Sequence, residues 1–135
     1  VKQRTLLMIK PDAVERNLIG KIVDRLETAG FKIVELKMVH LTEARAREFY
    51  KVHEGKPFLD ELVNFMSSSP IVAMGLEKEN AVDDLRELIG ATDPAKAACG
   101  TIRQNFAIDI GKNSVHASDS PENAKIELNF HFGQS

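Results

Sequence analysis

The sequence predicts an α+β fold, an α/β sandwich in which helices cover a four-stranded antiparallel sheet. Three observations lead there. Thr5 to Ile9 and Pro70 to Leu76 are unbroken apolar runs of strand length, two intervening stretches carry apolar residues at helical spacing and end on Gly30 and Gly90, and the last stretch alternates apolar with polar. The 135 residues include 43% hydrophobic and 28% charged side chains, enough for one domain with a real core and too apolar for a disordered or collagen-like chain. A single domain over 1–135 is expected, because no Pro/Gly/Ser-rich linker, low-complexity tract or internal period interrupts the chain.

Each element follows from local chemistry. The run Thr5 to Ile9 closes at Lys10-Pro11, a buried strand that delivers Lys10 to its carboxyl end. Ile19, Ile22, Val23, Leu26 and Ala29 make the stripe of an amphipathic helix, with Gly30 as its left-handed cap. Phe31 to Leu41 reads as a strand with Val34, Leu36 and Met38 on one face and Glu35 and Lys37 on the other. Thr42 caps a helix that puts Ala46, Phe49, Tyr50 and His53 at i, i+3, i+4, i+7, and Phe58 to Met66 forms a second short helix. The run from Pro70 suits a strand covered on both faces. Asn80 and Gly90 bracket a helix with Val82, Leu85 and Ile89 as its stripe and Arg86 at the edge. Ala91 to Lys112 shows no convincing period, and a long loop of that kind inside a compact domain is usually functional. Ser120-Pro121-Glu122 signals a short helix, and Ile126, Leu128, Phe130 and Phe132 alternate as a half-buried final strand. The order is that of a ferredoxin-like βαββαβ sheet with a helical-pair insertion and a long loop before the His116 segment.

Composition narrows function. Lys and Arg total 18 against 20 Asp and Glu, a net charge of −2, which lacks the basic excess of a nonspecific nucleic-acid or membrane-surface binder. Neither a specific nucleic acid nor a membrane is expected as partner. The single Cys99 cannot close an internal disulfide, and charged residues break every apolar run, so a cytoplasmic protein is expected. The P-loop, G-x-G-x-x-G, protein-kinase and G-x-S-x-G signatures are all absent.

Chemistry concentrates in Asn113-Ser114-Val115-His116-Ala117-Ser118-Asp119, just before the helix start at Ser120. Free N–H groups and the helix dipole favour an anion there, and a neutral imidazole can accept a phosphoryl group. Lys10, Arg86, Thr92, Arg103 and Lys112 could converge on a polyphosphate, although each cation alone reads first as a solvated surface charge. Glu127, placed on the polar face of the final strand, could hold one imidazole nitrogen and leave the other free. Phe58 suits either base stacking or a hydrophobic staple. His40, His53 and His131 lack metal-ligand spacing and read as structural or surface histidines.

Lys10-Pro11-Asp12-Ala13, Gly90-Ala91-Thr92-Asp93-Pro94, Gly100-Thr101-Ile102-Arg103 and Asn113-x-x-His116-x-Ser118-Asp119 together resemble nucleoside diphosphate kinases, in order and over essentially the whole chain. The resemblance implies ping-pong transfer of a γ-phosphate, mainly from ATP, to another nucleoside diphosphate through a pros-phosphohistidine on His116, for synthesis of the other nucleoside and deoxynucleoside triphosphates. By that resemblance Lys10, Tyr50, Arg86, Thr92 and Arg103 make phosphate or catalytic contacts, and Asn113 with Lys10 contacts the ribose hydroxyls. Phe58 stacks on the base with Ile110 on its other face, Glu127 partners the imidazole and Ser118 supports Glu127. Mg2+ is implied on the substrate phosphates, without side-chain ligands. The implied partners are nucleoside di- and triphosphates and further copies of the chain, in a tetramer or hexamer built from dimers.

Three features depart from the family pattern. Ala117 stands where glycine is usual, and a positive φ there would cost alanine on the order of 1 kcal/mol. Gln104-Asn105 replaces small and acidic residues, and the chain stops at Ser135, where relatives commonly continue with a segment that contributes to subunit contacts. Two other function classes remain open at this stage. One is a binding module that has lost turnover, and the other is a partner-binding protein that uses its long loop.

Overall fold

The structure is a computed structural model that describes residues 2–91, 93–106 and 114–133. Four strands, β1 (Lys2–Ile9), β2 (Lys32–Val39), β3 (Ile71–Glu79) and β4 (Val115–Ala117), form one antiparallel sheet in the order β2-β3-β1-β4. The helices are α1 (Pro11–Glu15), α2 (Ile19–Thr28), α3 (Glu43–Phe49), α4 (Leu59–Met66), α5 (Ala81–Ile89), α6 (Ile102–Phe106) and α7 (Pro121–Phe132), with single 3-10 turns at Lys51–His53 and Pro94–Lys96. The expected α+β sandwich on a four-stranded antiparallel sheet is therefore the observed one.

The strand period divides the core in two. Leu7 and Ile9 of β1, Val72, Met74 and Leu76 of β3, and Val115 and Ala117 of β4 face α2 and α5, where Ile22, Leu26, Leu85 and Ile89 are fully buried. Leu6, Met8, Ile71 and Ala73 face the other way, onto Ala46, Tyr50, Leu59, Val63 and Met66 of the helical pair and onto α7. Both central strands are covered on both faces, which is why they read as continuous apolar runs.

The N-caps expected from sequence form at two helix starts. Thr42 Oγ1 accepts from Arg45 N at 3.1 Å, and Ser120 Oγ accepts from Asn123 N at 3.1 Å. Asn80 behaves differently. It adopts the left-handed region at φ 57°, and its side chain donates to Asp84 Oδ1 at 3.2 Å instead of capping a backbone N–H.

Three sequence expectations need correction, and β2 adds a feature of its own. The last strand is β4, not Ile126 to Phe132, which is the second half of helix α7. The buried face of α7 is Ala124, Glu127, Leu128 and His131, spaced i, i+3, i+4, i+7, but two of the four are polar, so hydropathy hid the helical period. Glu127 accordingly lies on a helix rather than on a strand. The stretch after Ala91 holds a 3-10 turn and α6. In β2 the register shifts between Ile33 and Glu35, and the apolar face of the strand is left open, with Leu36 and Met38 57% and 58% exposed.

Candidate active site

His116 is the middle residue of β4, opposite Met8 of β1. Because Val115 and Ala117 point into the α2/α5 core, pleating sends the imidazole to the opposite face, toward α3 and α7. There Nε2 lies 3.0 Å from Glu127 Oε1, one helical turn beyond Ala124, and Ser118 Oγ donates to the same carboxylate oxygen at 2.7 Å. A carboxylate can only accept, so the proton sits on Nε2 and Nδ1 keeps its lone pair. The imidazole is 22% exposed, shielded yet reachable.

Aromatic rings close one side. Phe49 meets His116 edge-on with centroids 5.4 Å apart, and Tyr50 does so at 5.9 Å. The Tyr50 hydroxyl is buried and makes no hydrogen bond. Burial, and then the charge of Glu127, raise its pKa far above the ordinary tyrosine value, so it remains a protonated donor. His53 stacks beneath Tyr50 and packs against Phe58, which is 45% exposed and free to offer a ring face.

Cations gather on the other side. Lys10 follows β1, is buried, and has its pKa lowered to about 8 by desolvation and then by Arg103, against the opposing effect of Asp12. Arg103 on α6 is also buried, and desolvation followed by Arg86 lowers its pKa to about 10. None of Lys10, Arg86 and Arg103 makes an ion pair with a described residue. The two arginines instead occupy the outer edge of β4: Arg103 donates to Val115 O at 2.9 Å and to Gly90 O at 3.0 Å, and Arg86 lies 3.5 Å from Ala117 O. A strand edge that would otherwise be unpaired is thus satisfied by guanidinium groups, and those groups are held on the two residues that flank His116.

Gly90 makes this approach possible. Its φ is +89°, and a Cβ there would come within 2.5 Å of Thr101 Oγ1, so a side chain would displace the turn that carries the Arg103 acceptor. Ala117, by contrast, has ordinary strand geometry. The left-handed residue of this segment is Ser114 at φ 74°, so alanine after His116 carries no backbone strain.

The structure therefore brings together Lys10, Tyr50, Arg86, Arg103, His116, Ser118 and Glu127, with Phe58 at the rim. Thr92, Ile110 and Asn113 lie outside the described residues, as does Lys112. His40 Nε2 donates to Ser67 O at 2.7 Å, away from the site. His131 is buried against Met8 Sδ, and desolvation followed by Lys37 lowers its pKa to about 4, so it is neutral near pH 7. Sequence reasoning missed Phe49, which precedes Tyr50 and touches the same imidazole. It also did not single out Arg16, whose Nη2 lies 3.4 Å from Asp12 Oδ2 in an i,i+4 acid–base pair. Among the described residues, no group of three or more His, Cys, Asp or Glu could hold a metal ion, and no helix is long and apolar enough to cross a membrane.

Comparison with known proteins agrees with this geometry. The family model described as Nucleoside diphosphate kinase matches residues 3–135. A nucleoside diphosphate kinase of Geotalea uraniireducens is 54% identical over 132 residues, covering 98% of this chain and 96% of the relative, and one of Flavobacterium psychrophilum is 60% identical over 129 residues, covering 96% and 93%. Among solved structures, the Aquifex aeolicus nucleoside diphosphate kinase superposes with a TM-score of 0.95 at 50% identity, covering 98% of this chain and 96% of that one. The Halobacterium salinarum enzyme, solved in complex with CDP, also gives 0.95, at 44% identity and 99% and 90% coverage. On the family match, the identities and the shared fold, this chain belongs to the nucleoside diphosphate kinases, phosphotransferases that move a γ-phosphate between nucleotides by a ping-pong mechanism.

Proposed function

We propose that His116 is the residue phosphorylated in this transfer, with Nδ1 as the attacking atom. The observation that carries the assignment is an imidazole whose Nε2 is committed to Glu127, beside three cations that make no ion pair with any described residue. The Nδ1 lone pair forms a bond to the γ-phosphorus as the bond to the β,γ-bridging oxygen breaks, and the nucleoside diphosphate leaves with that electron pair. A terminal oxygen of the next diphosphate then takes the phosphoryl group back. Charge on the transferring oxygens is met by Lys10, Arg86 and Arg103, and the Tyr50 hydroxyl supplies a neutral donor. Ser118 and Glu127 keep the proton on Nε2 throughout.

The nucleotide would lie with its base on Phe58 and Ile110, its ribose hydroxyls on Asn113 and Lys10, and its phosphates on Thr92 and the arginines. A relative that binds CDP supports a pocket for nucleoside di- and triphosphates, and stacking reads a π-face common to all bases, which suits broad specificity. ATP as the main donor makes the products the remaining nucleoside and deoxynucleoside triphosphates. Mg2+ would come in with the substrate, held by the nucleotide phosphates and by no side chain, and would supply positive charge that offsets their repulsion. Cationic side chains fit that arrangement, since they bind phosphate and not metal.

The same reading covers the whole of 1–135 as one domain, active in the cytoplasm as a homo-oligomer, a tetramer or hexamer assembled from dimers. The open apolar face of β2 supports association, and a clean monomer by mass photometry would contradict it. Incubation with Mg2+ and γ-labelled ATP tests the chemistry. Acid-labile, alkali-stable label that passes to GDP or CDP supports phosphohistidine transfer, and nucleotide binding without label defeats it.

A further inference from the structure

We propose that Arg16, together with Asp12, is a positioning residue for phosphoryl transfer, a role that rests on the assignment of His116 as the phosphorylated residue. Arg16 follows α1 and touches both that helix and two residues, Phe106 and Ser114, that lie 90 and 98 positions away in the chain. Its Nε donates to Asp12 O at 3.2 Å, and its Nη2 donates to Phe106 O, to Ser114 Oγ at 3.3 Å and to Asp12 Oδ2 at 3.4 Å. Phe106 ends α6, which carries Arg103. Ser114 precedes Val115 and His116 on β4, and Asp12 stands two residues after Lys10. One guanidinium thus joins the three pieces of chain that bear a phosphate-binding lysine, a phosphate-binding arginine and the nucleophile.

The connection is reinforced from inside. Ser114 is fully buried in the left-handed region, and Lys10 N donates to its carbonyl at 2.8 Å while its hydroxyl reaches Asp12 Oδ2 at 3.4 Å. A β-carbon-bearing residue holds that backbone only where neighbours over-determine it. Asp12 is itself buried, so its carboxylate is fixed between Arg16 and Ser114, near enough to Lys10 to favour the charged ammonium. The arginine is not interchangeable with lysine here. Bonds from both Nε and Nη2 to differently placed acceptors need a rigid planar fork, which a single ammonium lacks. Arg16 is 39% exposed, and its hydrogen-bond partners Asp12, Phe106 and Ser114 are not among the residues assigned to the nucleotide, so its effect passes through the placement of Lys10, Arg103 and His116.

Arg16→Lys and Arg16→Ala separate positioning from mere stability. In rapid-quench single turnovers with Mg2+ and γ-labelled ATP, the saturating rate of His116 phosphorylation is expected to fall about tenfold to a hundredfold in both variants. The nucleotide concentration giving half that rate should move less than about threefold, because ground-state contacts remain. Added methylguanidinium is expected to restore part of the rate to Arg16→Ala. If Arg16→Ala does not fold, Arg16→Lys, which keeps the charge and the stem, decides the matter. A parent-like rate in Arg16→Lys with only a lower unfolding midpoint overturns the positioning role, as does a change confined to the half-saturating concentration. Failure of the unsubstituted protein to take label on His116 instead overturns the underlying assignment, and the proposal with it.

Discussion

The two edge strands of the sheet make opposite use of being at an edge. β2 runs eight residues, carries a register shift and leaves Leu36 and Met38 open to solvent. β4 runs three residues, yet Val115 and Ala117 are buried, its inner side pairs with β1 and its outer carbonyls receive Arg103 and Arg86. A short strand held on every side can present one side chain at a fixed position. A long strand with an open face stabilises little within the protomer, but it offers surface to something else. Rigidity in this sheet follows from what surrounds a strand and not from its length.

That contrast can be broken at several points. On the proposed assignment of His116 as nucleophile, His116→Ala should have the largest effect, a loss of transfer on the order of 10⁴-fold or more with an unchanged unfolding midpoint, because β4 is held by its neighbours. Label incorporation and thermal unfolding on the same sample check both halves. Glu127→Gln should lower the saturating rate by about one to two orders of magnitude, since an amide can present its N–H to Nε2 and favour the wrong tautomer. A rate equal to that of the parent would remove Glu127 from the chemistry.

Gly90→Ala tests the support of β4 from outside. Positive φ and the close Thr101 side chain together should cost roughly 2–4 kcal/mol in urea unfolding, with weaker phosphate binding as the Arg103 acceptor shifts. Lys10 gives a pH-dependent test. Its folded-state pKa of about 8 lies below the ordinary value, so the ammonium is lost as pH rises through 8, and kcat/KM for nucleotide should decline on that limb. The stability contribution runs the other way. From about pH 8 to 10.5 the unfolded chain binds the extra proton, so this group makes stability rise with pH across that window. The smallest effect belongs to β2: Leu36→Ser with Met38→Ser should change protomer stability by less than about 0.5 kcal/mol. A large loss in a dilute, monomeric sample would show that β2 is as constrained as β4, and the contrast would fail.

Much of the architecture was legible because local and global signals agree. The apolar runs of β1 and β3, the stripes of α2 and α5 and the caps at Thr42 and Ser120 needed no tertiary context. The site residues were legible as types in a recognisable order, and Lys10, Arg86, Arg103, His116, Ser118 and Glu127 do meet. The failures at α7 and β4 have local causes. Where a buried face is built from polar groups that satisfy each other, hydropathy cannot report burial, and α7 read as a strand because Glu127 and His131 occupy its inner face. β4 was missed for a related reason, since three residues are too few to establish a period.

By itself, then, the sequence determined the α+β class, the two central strands, most helix boundaries and the chemical identity of the groups available for phosphoryl transfer. Tertiary structure alone decided which strand carries His116, that Ser114 and not Ala117 takes the left-handed backbone, and that Arg86 and Arg103 seal the edge of β4. Local composition sets what a segment can bury, whereas a carboxylate's meeting with an imidazole, or a guanidinium's with a strand edge, depends on segments far apart in the chain.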